Sequence, residues 1–366
     1  MHRALSVLCF AWMFAACASE GANPQDAVVP DAGGPPAGGP RYAFICTVTG
    51  KLQVVDLQAL SVISTVQLTY GSVHGVGVTK DRHVVYAPNP SFTRVDKLQF
   101  SEDMATAAVA KSFELKQAPQ FGRMSPDARV MVTGSALPSM YPQTAAKGTN
   151  AAFIRLDTDE IAAELTFDSP AHALFDPMST KAYVLQQDTA DVPVVDLGTF
   201  QVVATLIDEG HAKDKVAPGH GAVRTQDGLL CIAEFTGNKV NCLDPNDASK
   251  PQRAIEIAGE LPHDLSFEPD GKRLWIGTTT GLPVPVSEST NPDIPAFLHV
   301  YDIDAGVEVD KVSWKYAMWH VHVAPNGRAY ASGSWGTLVV FDVATRELVG
   351  ELKVNAGPQP LMTVDF

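Results

Sequence analysis

Along most of the chain, apolar and polar residues alternate in short runs, broken by turns rich in Asp, Gly, Asn and Pro. KLQVVDL (51–57), VPVVDL (192–197), NKVNCLD (238–244), FLHVYDI (297–303) and TLVVFDV (337–343) show the form, each with an aspartate at or near its end. A period of two puts successive side chains on opposite faces, which predicts half-buried β-strands. SVISTVQL (61–68), QVVATL (201–206) and ELVGELKV (347–354) follow as partner strands after a tight turn. No long segment keeps the 3.6-residue spacing of an amphipathic helix, so the chain reads as all-β.

The strands recur as a repeat. A short apolar strand, a turn, and a second strand ending in aromatic or small residues appear as HGVGVTKDRHVVYAPN, FGRMSPDARVMVTGS, HALFDPMSTKAYVLQ, HGAVRTQDGLLCIAEF, HDLSFEPDGKRLWIGT and HVHVAPNGRAYASGS. The copies start at residues 74, 121, 172, 220, 263 and 320, spaced 47, 51, 48, 43 and 57 residues apart. A four-stranded propeller blade takes roughly 40–50 residues. What is left over, YAFICTV, KLQVVDL and SVISTVQL at the front and PLMTVDF at the end, makes one more blade. The expected fold is therefore a seven-bladed β-propeller, its ring closed by the C-terminal strand Leu361–Phe366 pairing with the N-terminal three. SPDARVMVTGS and EPDGKRLWIGT resemble the YVTN-type propeller repeat, over essentially residues 42–366. Propellers of that type include cofactor-binding units of respiratory enzymes, lactone-cleaving enzymes and periplasmic binding proteins, so the resemblance implies a fold and leaves function to the site.

The segment before the repeat has a different character. Arg3 precedes an apolar stretch from Ala4 to Ala16, too short to span a bilayer and followed by polar sequence, which is the form of a signal peptide. Phe14-Ala15-Ala16-Cys17 resembles the bacterial lipobox, with Phe14 where that pattern prefers Leu. The resemblance implies lipidation of Cys17; the alternative is ordinary cleavage with Cys17 incidental. Residues 18–40 are rich in Ala, Gly and Pro and nearly free of large apolar side chains, so they read as a disordered tether. The expected organisation is a signal over 1–17, a tether over 18–40 and a propeller over 41–366. The expected location is the bacterial cell envelope, periplasmic or at the cell surface, with membrane contact only through the lipid anchor.

Loss of Arg3 with the signal takes the formal net charge from −14 to −15, which argues against nucleic acid as a partner. Of the five cysteines only Cys46, Cys231 and Cys242 lie in the propeller, too few for a disulfide scaffold. In LLCIAEFTGNKVNCLD the turn centres on Thr236-Gly237, which puts Cys231 and Cys242 opposite each other, within reach of a bridge. Two small buried side chains would fit the same pattern.

Histidine carries the candidate chemistry. His74, His172, His220, His263, His320 and His322 sit at or just inside the start of an innermost strand. Such positions converge on the axis from separate blades, and neutral imidazole is a common ligand of zinc and copper. His172 and His320 are offset by about one residue from His74 and His263, and with alternation along a strand such a slip could turn a side chain away from the channel, so not all six need point inward. Asp264, Glu234 or Asp365 could add a carboxylate or orient a ring. The plainer alternative is a water-filled channel lined by polar residues. VHGVGV and GHGAV also resemble the His-Gly steps of a periplasmic zinc-chaperone propeller family. A heme-type cofactor on the axis, with His74, His172 or His220 as axial ligand, is a further possibility.

Long segments at 136–150, 208–219 and 279–295 are expected on the same face, where they would cover a site or meet a protein partner. The expected function is binding of zinc or copper for transfer or storage. Two alternatives stay open. One is a lactonase-like hydrolase using His263 or His220 with Glu234 or Arg123, though no nucleophile motif accompanies them. The other is a cofactor-free protein-binding scaffold.

Overall fold

The structure, a computed structural model, describes residues 40–47, 50–68, 75–135, 149–186, 189–211, 220–234, 237–247, 249–258, 260–279, 296–314, 318–333, 336–354 and 361–365. These form seven four-stranded antiparallel sheets, the blades of a seven-bladed β-propeller. The innermost strands, from blade 2 to blade 7 and then blade 1, are Gly77–Val78, Pro119–Met124, Pro170–Phe175, Gly221–Val223, Leu261–Phe267, Met318–Ala324 and Leu361–Asp365. The last pairs with Tyr42–Thr47 in the register Phe44↔Asp365, Ile45↔Val364, Cys46↔Thr363, so the first and last described strands share blade 1. That closure removes the sheet edges that an open ring would expose. No helix among the described residues is long and apolar enough to cross a membrane.

The recurring sequence theme has a local cause. The aspartate that ends the third strand accepts hydrogen bonds from backbone N–H groups of the next turn: Asp56 from Gln58 and Ala59, Asp196 from Gly198 and Thr199, Asp342 from Ala344 and Thr345. A short acceptor side chain that turns the chain back in this way is why Asp recurs there.

The core is divided among the junctions between blades. Seven clusters of buried residues each join one blade to its neighbour, including the junction of blade 7 with blade 1. One position of the second strand repeats as a large buried ring, Tyr86, Tyr183, Trp275 and Tyr330. Three of the four polar tips are hydrogen-bonded: Tyr86 Oη donates to Asp159 Oδ1 at 2.9 Å, Trp275 Nε1 donates to Glu268 Oε1 at 2.9 Å, and Tyr330 Oη accepts from Asn326 Nδ2 at 3.0 Å. In blade 5 the same position is Cys231, which lies opposite Cys242 and is joined to it by a disulfide. Cys46 is a buried thiol outside the disulfide. Propeller chains denatured without reductant should therefore show one reactive thiol from Cys46, Cys231 and Cys242. Three would refute the bridge.

Blade 6 carries a buried ionic network. Glu260 is 5% exposed and receives Thr278 Oγ1, His299 Nε2 at 2.8 Å and Lys311 Nζ; the other nitrogen of His299 lies 2.9 Å from Glu308. Burial by itself would raise the Glu260 pKa, but hydrogen bonds from His299, Lys311 and Thr278 outweigh it and hold the group at about 2. A carboxylate whose folded pKa lies below its unfolded value adds stability that is complete above about pH 4.5. That stability is lost as the pH falls toward 2. Glu260→Gln should lower stability at pH 7 by about 2–3 kcal/mol. It should also flatten the acid limb of the stability profile between pH 4.5 and 2, as read by urea denaturation. An unchanged limb would show that the network contributes nothing.

Candidate metal centre

An innermost strand has a hydrogen-bonded neighbour on one side only, so its other edge faces the axis. Pairing register identifies equivalent positions from blade to blade. Phe121↔Gly134, His172↔Leu185, Asp264↔Gly277 and His320↔Ser332 occupy one level, and His220, whose carbonyl accepts from Ala233 N–H at 2.9 Å, joins them. Two residues further along, Arg123, Leu174, Ala222, Ser266 and His322 form the next level, as alternation requires. Both levels line a central channel of about 610 Å³.

At the first level the histidines meet. The His172 and His220 ring centroids are 4.0 Å apart, His220 and His263 4.4 Å, His263 and His320 4.8 Å, and His220 and His320 4.9 Å. His220, His263 and His320 are all buried, and one ring nitrogen from each lies within 4.8 Å of the others. Ligands of a tetrahedral zinc stand roughly 3.3 Å apart, so small side-chain rotations would bring these three into range. His172 is packed between His220 and Phe121, whose ring is 4.9 Å away.

His263 belongs to this group through a β-bulge. The register slips between Pro262 and Asp264, leaving His263 as the extra residue. In a regular strand His263 and Asp264 would point to opposite faces, but the bulge lets both serve the axis. The same slip occurs at Pro119/Phe121, Pro170/His172 and Met318/His320, where the extra residues are Gln120, Ala171 and Trp319. This accounts for the one-residue offset seen along the sequence: the offset position is the bulge.

Asp264 ties the group together. Its carboxylate lies 3.2 Å from His320 Nδ1 and 3.6 Å from His220 Nδ1, and it accepts the Val321 N–H at 3.3 Å. Burial opposes the charge, yet His220 and His320 outweigh it and hold the carboxyl well below the usual range. The His220 pKa is lowered, chiefly by burial, with His320 and Arg123 adding and Asp264 opposing. His322, one level deeper, is pushed down to about 4 by burial and then Arg123; Asp264 opposes and Arg82 adds. Both rings are therefore neutral near pH 7, the form that binds metal. Gly221, next to His220, is needed for close approach. A Cβ there would stand 2.5 Å from the Cys231 carbonyl oxygen and 2.9 Å from Leu174.

Of the six histidines singled out in the sequence, the structure brings His172, His220, His263 and His320 together and sets His322 one level deeper, under the electrostatic influence of Arg123. His74 lies outside the described residues, as do 1–39 with Cys17 and the loop segments 136–148, 212–219 and 280–295. Glu234 does not face the axial histidines. Its carboxylate lies 3.3 Å from His211 Nδ1, with Asp208 completing a second buried group. His211 stands outside the repeat that aligns the other histidines, and its trace in the sequence is the Asp-x-x-His spacing of residues 208–211.

No protein-family model matches the chain, and no curated protein matches it. Among solved structures, a functionally unknown protein from Desulfotomaculum acetoxidans DSM 771 superposes with a TM-score of 0.65 at 13% identity, over 89% of this chain and 100% of that one. Kuenenia stuttgartiensis hydrazine synthase superposes with a TM-score of 0.61 at 14% identity, over 80% of this chain and 88% of that one. At such identities the likeness is one of fold.

Proposed function

We propose that this protein is an exported lipoprotein of the bacterial cell envelope whose YVTN-type propeller binds zinc or copper at one end of its axis. The observation that carries the metal reading is the convergence of His220, His263 and His320 from three blades, all buried, around the carboxylate of Asp264. Three imidazoles suit borderline cations such as zinc and copper, and a carboxylate on the far side of a ligating ring fixes its tautomer and raises its basicity. With Asp264 at Nδ1 of His220 and His320, Nε2 is the atom these rings would offer. His172 buttresses His220, and His322, which already feels the charge of Arg123, is a poor ligand because a cation there would meet the same repulsion.

A metal held this way is cargo or a structural ion, and storage or transfer through a protein partner at the loop-rich face fits both the channel and the exported setting. The lipobox-like Phe14–Cys17 and the Ala/Gly/Pro-rich tether support the anchor. Replacing Cys17 by Ser should move the protein from the detergent-requiring membrane fraction to the soluble one; a wild type already soluble would remove the anchor from the proposal.

For the metal, purified protein equilibrated with zinc or copper and then dialysed should retain the ion. Retention should raise its melting temperature, because the ion binds the folded ring in preference to the unfolded chain. His220→Ala and His263→Ala should each reduce retention at least tenfold with the β-rich circular dichroism unchanged, and Asp264→Asn should weaken affinity about 10–100-fold. His83→Ala, in the turn before Val84–Asn89, should do neither. If neither zinc nor copper is retained or shifts the melting temperature, the histidines are channel lining.

A further inference from the structure

Blade 5 holds a second set of ligand-type side chains, away from the axial level. Asp208 directly follows Gln201–Ile207, the outermost strand of blade 4, and Glu234 ends Leu230–Glu234, the second strand of blade 5. His211 sits between them. Asp208 is 2% exposed, His211 9% and Glu234 2%, and one ligating atom from each lies within 4.8 Å of the others. His211 Nδ1 is 3.2 Å from one Glu234 oxygen and 3.3 Å from the other.

The loop is wound so as to hold these groups in place. Asp208 N–H donates to Ala190 O at 2.8 Å, and His211 N–H donates to Asp208 O at 3.0 Å. Asp208 Oδ1 accepts from Gly210 N–H at 3.0 Å and from Asn241 Nδ2 at 2.9 Å. Gly210 permits that last contact, since a Cβ there would fall 2.2 Å from Asn241 Nδ2. One oxygen of Asp208 is thus doubly bonded. The other, Oδ2, is buried without a hydrogen-bond partner among the described residues, and so is His211 Nε2. Buried polar atoms without partners are rare, and two on neighbouring side chains of one cluster point to a ligand that both would contact. Buried carboxylates persist where they are paired or coordinate a metal.

We infer that Asp208 and His211 form a second cation site, for a divalent first-row metal such as zinc, with Glu234 at Nδ1 of His211 fixing the tautomer that presents Nε2 and tying the site at the exit of blade 4 to blade 5. Two carboxylates balance the charge of a divalent ion, and the single imidazole favours zinc or a neighbouring transition metal over calcium or magnesium. Its ligands differ from those of the axial site in identity and in charge, so it stands independently of the axial reading.

The experiment counts zinc per chain in the full protein after equilibration with a zinc salt and dialysis. Asp208→Asn, a nearly isosteric change, should lose one zinc per chain relative to wild type, and so should Glu234→Gln. His263→Ala should lose a different one, and the loss should add to that of Asp208→Asn. Wild-type zinc content in Asp208→Asn would overturn the inference. Loss in Asp208→Asn with wild-type content in His263→Ala would support it while removing the axial site. Should Asp208→Asn fail to fold, the His263→Ala/His320→Ala protein decides, because it keeps Asp208, His211 and Glu234. Added zinc should raise its melting temperature, and an unmoved midpoint would overturn the inference.

Discussion

The innermost strand of every blade is hydrogen-bonded on its outer side only, and the edge it turns to the axis must find partners elsewhere. In blades 6 and 7 side chains supply them. Asp264 accepts the N–H of Val321, and Ser266 accepts that of Val323 at 2.9 Å, so one inner strand satisfies the next. A carboxylate on the axis is therefore first a structural acceptor. Having been placed there, it draws the Nδ1 edges of His220 and His320 toward itself. The site thus grows out of a hydrogen-bonding need that belongs to the fold.

The position of those rings is set by the way the core is divided. With a separate apolar cluster at each blade junction, no blade can shift without disturbing two clusters, and the whole ring fixes the distances across the axis. The rings of His220 and His320, a hundred residues apart in sequence, can then stand 4.9 Å from one another, centroid to centroid. The low dielectric of the site keeps His220 neutral, while the hydrogen bonds at Asp264 keep its carboxyl ionised. Burial opposes charge on both groups, and only the carboxylate has donors enough to overcome it.

Blade 5 departs from its neighbours in ways that converge on one region. Its second strand has Cys231 where Tyr86, Tyr183, Trp275 and Tyr330 stand in other blades, and a disulfide to Cys242 replaces the packing of a ring. Gly221 lets its inner strand approach Leu174 of blade 4, and Glu234 reaches back to the segment leaving blade 4. Less bulk at the centre of the blade is matched by covalent and polar links at its border.

Local pattern determined a great deal. Alternation marked the strands, because burial of one face is imposed residue by residue. The repeat of 43 to 57 residues, with leftover strands at both ends, required seven blades and a shared closing sheet. Aspartates at strand ends marked turns because each closes its own turn. The opposition of Cys231 and Cys242 followed from where the hairpin centre falls. What periodicity could not decide was which histidines face one another. A regular strand separates His263 from Asp264, and only the bulge at Pro262/Asp264, a feature of pairing with the second strand, brings both to the axis. Nor could it assign Glu234 to His211 rather than to the channel, since that choice depends on how the exit of blade 4 packs against blade 5. Sequence patterns report the face a residue occupies within its own blade, whereas a site on the axis is made of distances between blades, which exist only once the ring has closed.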